Sequence, residues 1–229
     1  MKTMTTTPKI RALVCGHTGA TGSALIEALT SLPQCESIVA VGRRKNIEQE
    51  NNPKLIQNVI SDMSDMSRTH PDIGAGCNVA FCCIGTTFND VFKKSKSEEY
   101  HSVDFVIATE FAKLTKQGGA DFFAIITGDK SDSKSQMRMT RVKGQTEDFV
   151  VSLGFNRLAI LRPGLLNRGK GRRGWIEQLV TVGGIFGLHV EKLGQSMVWM
   201  ALHQEGSLKR YETPDIKQTI KKFELSSFM

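Results

Sequence analysis

The residues with the clearest chemical potential stand near the start of the chain, in the run Gly16-His17-Thr18-Gly19-Ala20-Thr21-Gly22. Glycines at a strand-to-helix turn let the backbone turn tightly and let a pyrophosphate approach main-chain N–H groups at the positive end of the helix. Thr18 and Thr21 add hydroxyl donors for the same phosphates. The spacing is G-x-x-G-x-x-G rather than G-x-G-x-x-G, so a tight turn with no ligand is the competing reading. A second group, Arg43-Arg44-Lys45, closes the next apolar run. In a dinucleotide fold a carboxylate at that point bonds the ribose 2′-hydroxyl of NAD, whereas arginines fork onto the 2′-phosphate of NADP. No carboxylate is present there, which favours NADP; three solvated cations at a strand end are the alternative. Asp62 either accepts a bond from an adenine amino group or caps the turn that follows it.

These residues need a scaffold that brings strand ends together, and the order of elements supplies one. Ile10 to Cys15 is apolar enough for a central parallel strand, and Leu25, Ala28 and Leu29 give the next helix one apolar face. Further strands are expected at Ser37 to Gly42, Leu55 to Ile60, Asn78 to Ile84, Asp121 to Thr127 and Arg157 to Leu161. Helices are expected over residues 98 to 116, where Val103, Ile107, Phe111 and Leu114 recur at helical spacing, and around Val142, Phe149, Val150 and Leu153. Two more are expected at residues 194 to 203 and along Ile216, Ile220 and Phe223, the last begun by Thr213-Pro214-Asp215. Alternating strands and helices without an internal repeat predict an α/β doubly wound parallel sheet, the NAD(P)-binding Rossmann fold. Ligands of such sheets bind beyond the carboxyl ends of the strands, where each glycine-bearing motif falls. Residues 1–9 read as a flexible tail, 10–229 as a single domain, and 167–229 as a small C-terminal lobe over the sheet.

Composition narrows the function classes. The chain has 229 residues, 40% of them hydrophobic, enough for one sizeable core. A net charge of +7 suits a phosphate-bearing ligand or a soluble basic surface. Five cysteines without a CxxC pair, three of them in apolar runs, indicate reduced thiols and no zinc site. No apolar run is long enough for a membrane span, and a cytoplasmic location is expected. There is no G-x-S-x-G elbow, no H-E-x-x-H and no GK[ST] loop. The basic loop Asn167 to Gly174 reads as solvated, or as a contact for phosphate, substrate or an acidic protein partner; nucleic acid is disfavoured, because little aromatic interleaving accompanies the charge.

Taken together, GHTGATG, GRRK, FCCIGTT, VKG at 142 to 144 and LRPGLL resemble the atypical short-chain dehydrogenase/reductase superfamily, and within it the HTATIP2 (TIP30) oxidoreductase family, whose members bind NADPH. The resemblance runs from about residue 10 to about residue 166. It implies that Gly16, Thr18, Gly19, Ala20, Thr21 and Gly22 hold a pyrophosphate and Arg43 and Arg44 the 2′-phosphate. Asp62 and Met63 would lie near adenine, and Ile84, Gly85 and Thr86 along the central part of the cofactor. Lys143 would reach the nicotinamide ribose, with the backbone of Leu161, Arg162 and Gly164 beside the nicotinamide.

The resemblance fails at the chemistry. Reductases of this superfamily donate a proton from a Tyr four residues before the Lys, and a nearby Ser or Thr helps hold the carbonyl. Here Met139 stands four residues before Lys143, and Gly128 at the usual Ser position leaves Thr127 as the adjacent hydroxyl. Lys143 and Thr127 are therefore the expected catalytic residues, with His101, Asp129, Ser131 and Ser133 as substitute groups. The expectation is an NADP(H)-binding oxidoreductase of unknown small-molecule substrate with a degenerate catalytic set; the alternative is a non-catalytic NADPH sensor that binds a protein partner.

Overall fold

The computed structural model describes residues 9–86, 100–164, 166–167 and 187–226. The basic loop and the tail, apart from Lys9 and Asn167, lie outside them, as do Thr87 and Leu165. Strand β1 (Ile10–Cys15) leads through the glycine turn into helix α1 (Ala20–Thr30), followed by β2 (Cys35–Gly42) and β3 (Leu55–Val59). A short helix α2 (Met66–Thr69) precedes β4 (Val79–Cys82). A π-helical turn over Ser102–Ile107 runs straight into α3 (Ala108–Gln117), then β5 (Phe122–Ile126), α4 (Arg138–Ser152) and β6 (Arg157–Arg162). The chain continues through β7 (Leu166–Asn167), β8 (Leu188–His189), α5 (Val190–His203), β9 (Leu208–Glu212) and α6 (Thr213–Ser226).

Seven strands form one sheet in the order β3-β2-β1-β4-β5-β6-β9, parallel throughout, and β7 pairs with β8 separately. The first six follow the Rossmann order, with the switch of direction between β1 and β4. Each face of the sheet carries its own core. Leu25, Ile26 and Leu29 of α1, Leu193 and Met197 of α5 and Ile216 of α6 cover one side. Met66, Phe111, Leu114 and Val150 cover the other. Ala12, Leu13, Val14 and Cys15 are all fully buried, as a central strand covered on both faces requires.

The sequence pattern does not signal β9. Its residues are Leu-Lys-Arg-Tyr-Glu, and only Tyr211 is buried, as befits the edge of a sheet. Residues 188–226 thus supply both an edge strand and two covering helices. Helix α5 approaches α1 closely: a Cβ on Gly194 would lie 2.9 Å from the backbone nitrogen of Leu25. The sulfurs follow the core reading, with Cys82 in one core and Cys83 packed against the other. Burial pushes the Cys82 thiol up to about 12, which suppresses the thiolate a nucleophile requires.

Candidate functional site

The glycine turn is shaped by backbone contacts. Gly16 has φ +86°, and a Cβ there would lie 2.7 Å from the carbonyl carbon of Cys83, just past β4. At Gly22 a Cβ would lie 2.2 Å from the Gly16 carbonyl oxygen. That oxygen also accepts the Gly19 N–H at 3.0 Å, closing the turn. Gly19 caps α1 without a side-chain bond, so the first amides of the helix are left without intrahelical acceptors. Thr18 is half-buried and Thr21 buried at this helix start.

Beyond β2, Arg43 and Arg44 are exposed, and no ion pair holds either among the described residues. Lys45 leans away, 3.5 Å from Glu50. Asp62 is exposed and caps its own turn: Oδ1 accepts the Ser64 N–H at 2.9 Å and the Ser64 hydroxyl at 2.6 Å. Those bonds hold its carboxyl below the usual range. Met63 beside it is buried.

At the ends of β4 and β5 the residues gather around a carboxylate that the motif reading passes over. Asp104, on the π-helical turn, is 5% exposed. Its Oδ1 accepts from Lys143 Nζ at 2.9 Å, and its Oδ2 accepts the Thr86 N–H at 2.9 Å and the Thr86 hydroxyl at 2.7 Å. The Lys143 stem crosses Gly128, where a Cβ would meet its Cδ at 3.3 Å. Ile84, Asp104, Thr127, Lys143 and Thr146 are among the residues lining a cavity of about 10 Å³, room for a single water. One signal for Asp104 was available: it lies four and seven residues before Ala108 and Phe111, a lone carboxylate on a core-facing helical stripe. The π turn widens the helix at that point, as such turns often do near functional sites.

Other candidates have internal partners. The Thr127 hydroxyl donates to Glu147 Oε1 at 2.7 Å, and Glu147 also receives the Arg162 guanidinium through Nε at 3.0 Å and Nη2 at 2.5 Å. Arg162 is thereby turned away, leaving the backbone of Leu161 to Gly164 at the strand end. Gly164 N–H donates to the Thr213 hydroxyl at 3.0 Å. Ser131 donates to the Gly128 carbonyl at 2.7 Å, while Asp129 and His101 are exposed and Ser133 is half-buried. The Tyr100 hydroxyl reaches the carbonyl of Met139 at 3.0 Å, and burial with the nearby Asp104 charge raises its pKa. Among the described residues no group of His, Cys, Asp and Glu is placed to hold a metal, and no helix is long and apolar enough to cross a membrane.

No family model matches the chain. It is 29% identical over 166 residues to Protein HTATIP2 of Rattus norvegicus, covering 71% of this chain and 66% of that protein. It is 28% identical over 153 residues to the mitochondrial protein FMP52 of Candida albicans, covering 67% and 66%. The match thus spans just under two thirds of the length of these relatives. The solved structure of MoeE5 with UDP-glucose and NAD superposes with a TM-score of 0.69 at 14% identity, over 93% of this chain and 81% of that one. The Bordetella bronchiseptica enzyme WbmH with NAD+ gives 0.66 at 12%, over 89% and 74%. The expected cytoplasmic location is overturned: the FMP52 relatives from Candida albicans, Meyerozyma guilliermondii and Emericella nidulans are all named mitochondrial. The chain is thus similar in sequence to HTATIP2 and the FMP52 proteins over about two thirds of its length, and it has a Rossmann-like α/β fold.

Proposed function

We propose that this chain binds NADP(H) across the carboxyl ends of the central strands and acts as a slow oxidoreductase on a small-molecule carbonyl substrate. The observation that carries the reading is the tight glycine turn at the start of α1, where a Cβ on Gly16 or Gly22 would strike backbone at 2.7 and 2.2 Å. These contacts fold the turn tightly onto the start of α1, whose first amides have no intrahelical acceptors, and such a helix start fits a pyrophosphate. In this reading Gly16, Thr18, Gly19, Ala20, Thr21 and Gly22 hold the pyrophosphate, and the exposed Arg43 and Arg44 take the 2′-phosphate. Met63 and Asp62 border the adenine, and Ile84, Gly85 and Thr86 the middle of the dinucleotide. Lys143 uses one of its three N–H donors on Asp104 and keeps two for a ribose. Leu161, Arg162 and Gly164 contribute backbone beside the nicotinamide.

The cofactor supplies a hydride when bound, and the chain's own task is to position the acceptor and supply a proton. Met139 has no proton to give, and the Thr127 hydroxyl already donates to Glu147. Loss of the general acid costs on the order of 10²- to 10⁴-fold in rate, so turnover is slow. The neighbours solved with NAD support a nicotinamide dinucleotide, and the arginines after β2 support the 2′-phosphorylated form.

A second reading, a non-catalytic NADPH sensor that engages a protein partner, is favoured by one observation: Thr86, Lys143 and Thr127 are all bonded within the protein. The test is to saturate the protein with NADPH and follow its oxidation by a panel of aldehydes, ketones and quinones. Slow oxidation supports the enzyme, tight binding without oxidation supports the sensor, and failure to bind NADPH contradicts both.

A further inference from the structure

His17 sits inside the glycine turn, yet it is fully buried, with its ring against β2. Its ring occupies the space above Gly42, where a Cβ would lie 2.8 Å from Cε1. The turn after β1 is thereby packed directly on the last residue of β2, one residue before Arg43. From there the contact passes into a polar clamp. His17 Nε2 lies 3.0 Å from Gln57 Oε1, and the same oxygen accepts the Asn46 N–H at 2.7 Å. Gln57 Nε2 donates to the Asn46 carbonyl at 3.2 Å. Because the amide oxygen faces the ring, the imidazole carries its hydrogen on Nε2. Burial lowers the pKa of His17 and so favours the neutral ring.

The exposed arginine segment is therefore held at both ends. Gly42 is pinned under His17, and both main-chain groups of Asn46 are read by Gln57. The Asn46 side chain donates in turn to Gln49 Oε1 at 3.0 Å. Arg43 and Arg44 have no ion pairs with described residues to orient them, so the position of their backbone decides where their guanidinium groups reach. We infer that His17 and Gln57 are positioning residues that fix the Arg43–Arg44 segment against the phosphate turn and thereby set the preference for a 2′-phosphorylated dinucleotide. The inference rests on the dinucleotide reading above and assigns the specificity of that site to two residues that need touch no ligand.

The experiment compares Gln57→Leu and His17→Phe with the unaltered protein by calorimetric titration with NADPH, NADH and 2′,5′-ADP, alongside amide hydrogen exchange over residues 43–49. Losing the clamp should weaken NADPH and 2′,5′-ADP by about tenfold, the scale of one net hydrogen bond, with NADH changed less than about twofold. Exchange at the Asn46 amide should accelerate. Equal weakening of NADPH and NADH, which a merely structural role would give, or an unchanged ratio between them, overturns the inference. Arg43→Ala with Arg44→Ala separates the two levels. If that pair lowers the ratio while Gln57→Leu and His17→Phe do not, only the positioning role falls. If the arginine pair leaves the ratio unchanged, the 2′-phosphate reading falls with it. Should Gln57→Leu fail to fold, His17→Phe, which keeps the ring volume under Gly42, decides the matter alone.

Discussion

Asp104 and Lys143 meet across the π-helical turn and α4, Oδ1 to Nζ at 2.9 Å, with side chains only 2% and 15% exposed. Removing the ammonium would leave a carboxylate buried and uncompensated, whereas removing the carboxylate charge leaves a lysine near solvent. Lys143→Met should therefore destabilise the fold by about 3–5 kcal/mol, and Asp104→Asn by less, since it leaves no buried anion and Lys143 keeps part of its side chain in solvent. Urea unfolding of the two variants checks the asymmetry; equal losses would contradict it.

Met139 stands on α4 four residues before Lys143, half-buried, with the Tyr100 hydroxyl on its carbonyl. On the proposed oxidoreductase reading, Met139→Tyr puts a phenol four residues before Lys143, where a proton donor is expected. NADPH-dependent reduction of an accepted carbonyl compound should rise by about 10²-fold, the lower end of what general acid catalysis contributes. An unchanged rate would mean that the acceptor is not held next to this position.

Gly22 leaves no room for a side chain, since its Cβ would lie 2.2 Å from the Gly16 oxygen. Gly22→Ala should lower the melting temperature and abolish dinucleotide binding, while Gly76→Ala, at φ +77° but with open space around it, should cost stability alone. Thermal unfolding with and without NADPH separates the two effects.

Burial lowers the pKa of His17 from 6.5, so in the window just below that value the unfolded chain binds more protons than the folded one. Stability should consequently fall as pH drops below 6.5, and His17→Phe should flatten the fall between there and about pH 5, above the carboxylate range. Guanidinium unfolding at a series of pH values measures it; an identical slope in the variant would place the effect elsewhere.

The sheet was readable in the sequence because most of its strands are apolar runs with glycine at or just past their carboxyl ends, and the six expected strands are all present. β9 escaped because an edge strand with one buried residue, Tyr211, has too little apolar pattern to announce itself. The glycine turn after β1 and the exposed arginines after β2 stand at the strand ends where residue type alone pointed. Gln57 was not legible in the sequence, and Asp104 only as a carboxylate on an apolar helical stripe, because each acts through a partner distant in sequence, His17 at 40 residues and Lys143 at 39. Thr127 was legible as a hydroxyl at the right strand end, but its bond to Glu147, 20 residues on, appears only when α4 is packed beside β5.

The central claim is tested most directly by the ratio of NADPH to NADH affinity in the full chain, measured by calorimetry before and after Arg43→Ala plus Arg44→Ala. The account predicts micromolar or tighter NADPH binding, at least about tenfold tighter than NADH, with the preference lost in the double variant and NADH affinity unchanged, since charge-assisted bonds to a phosphate are the strong ones. Equal affinities in the unaltered protein, or a preference that survives both substitutions, would contradict it.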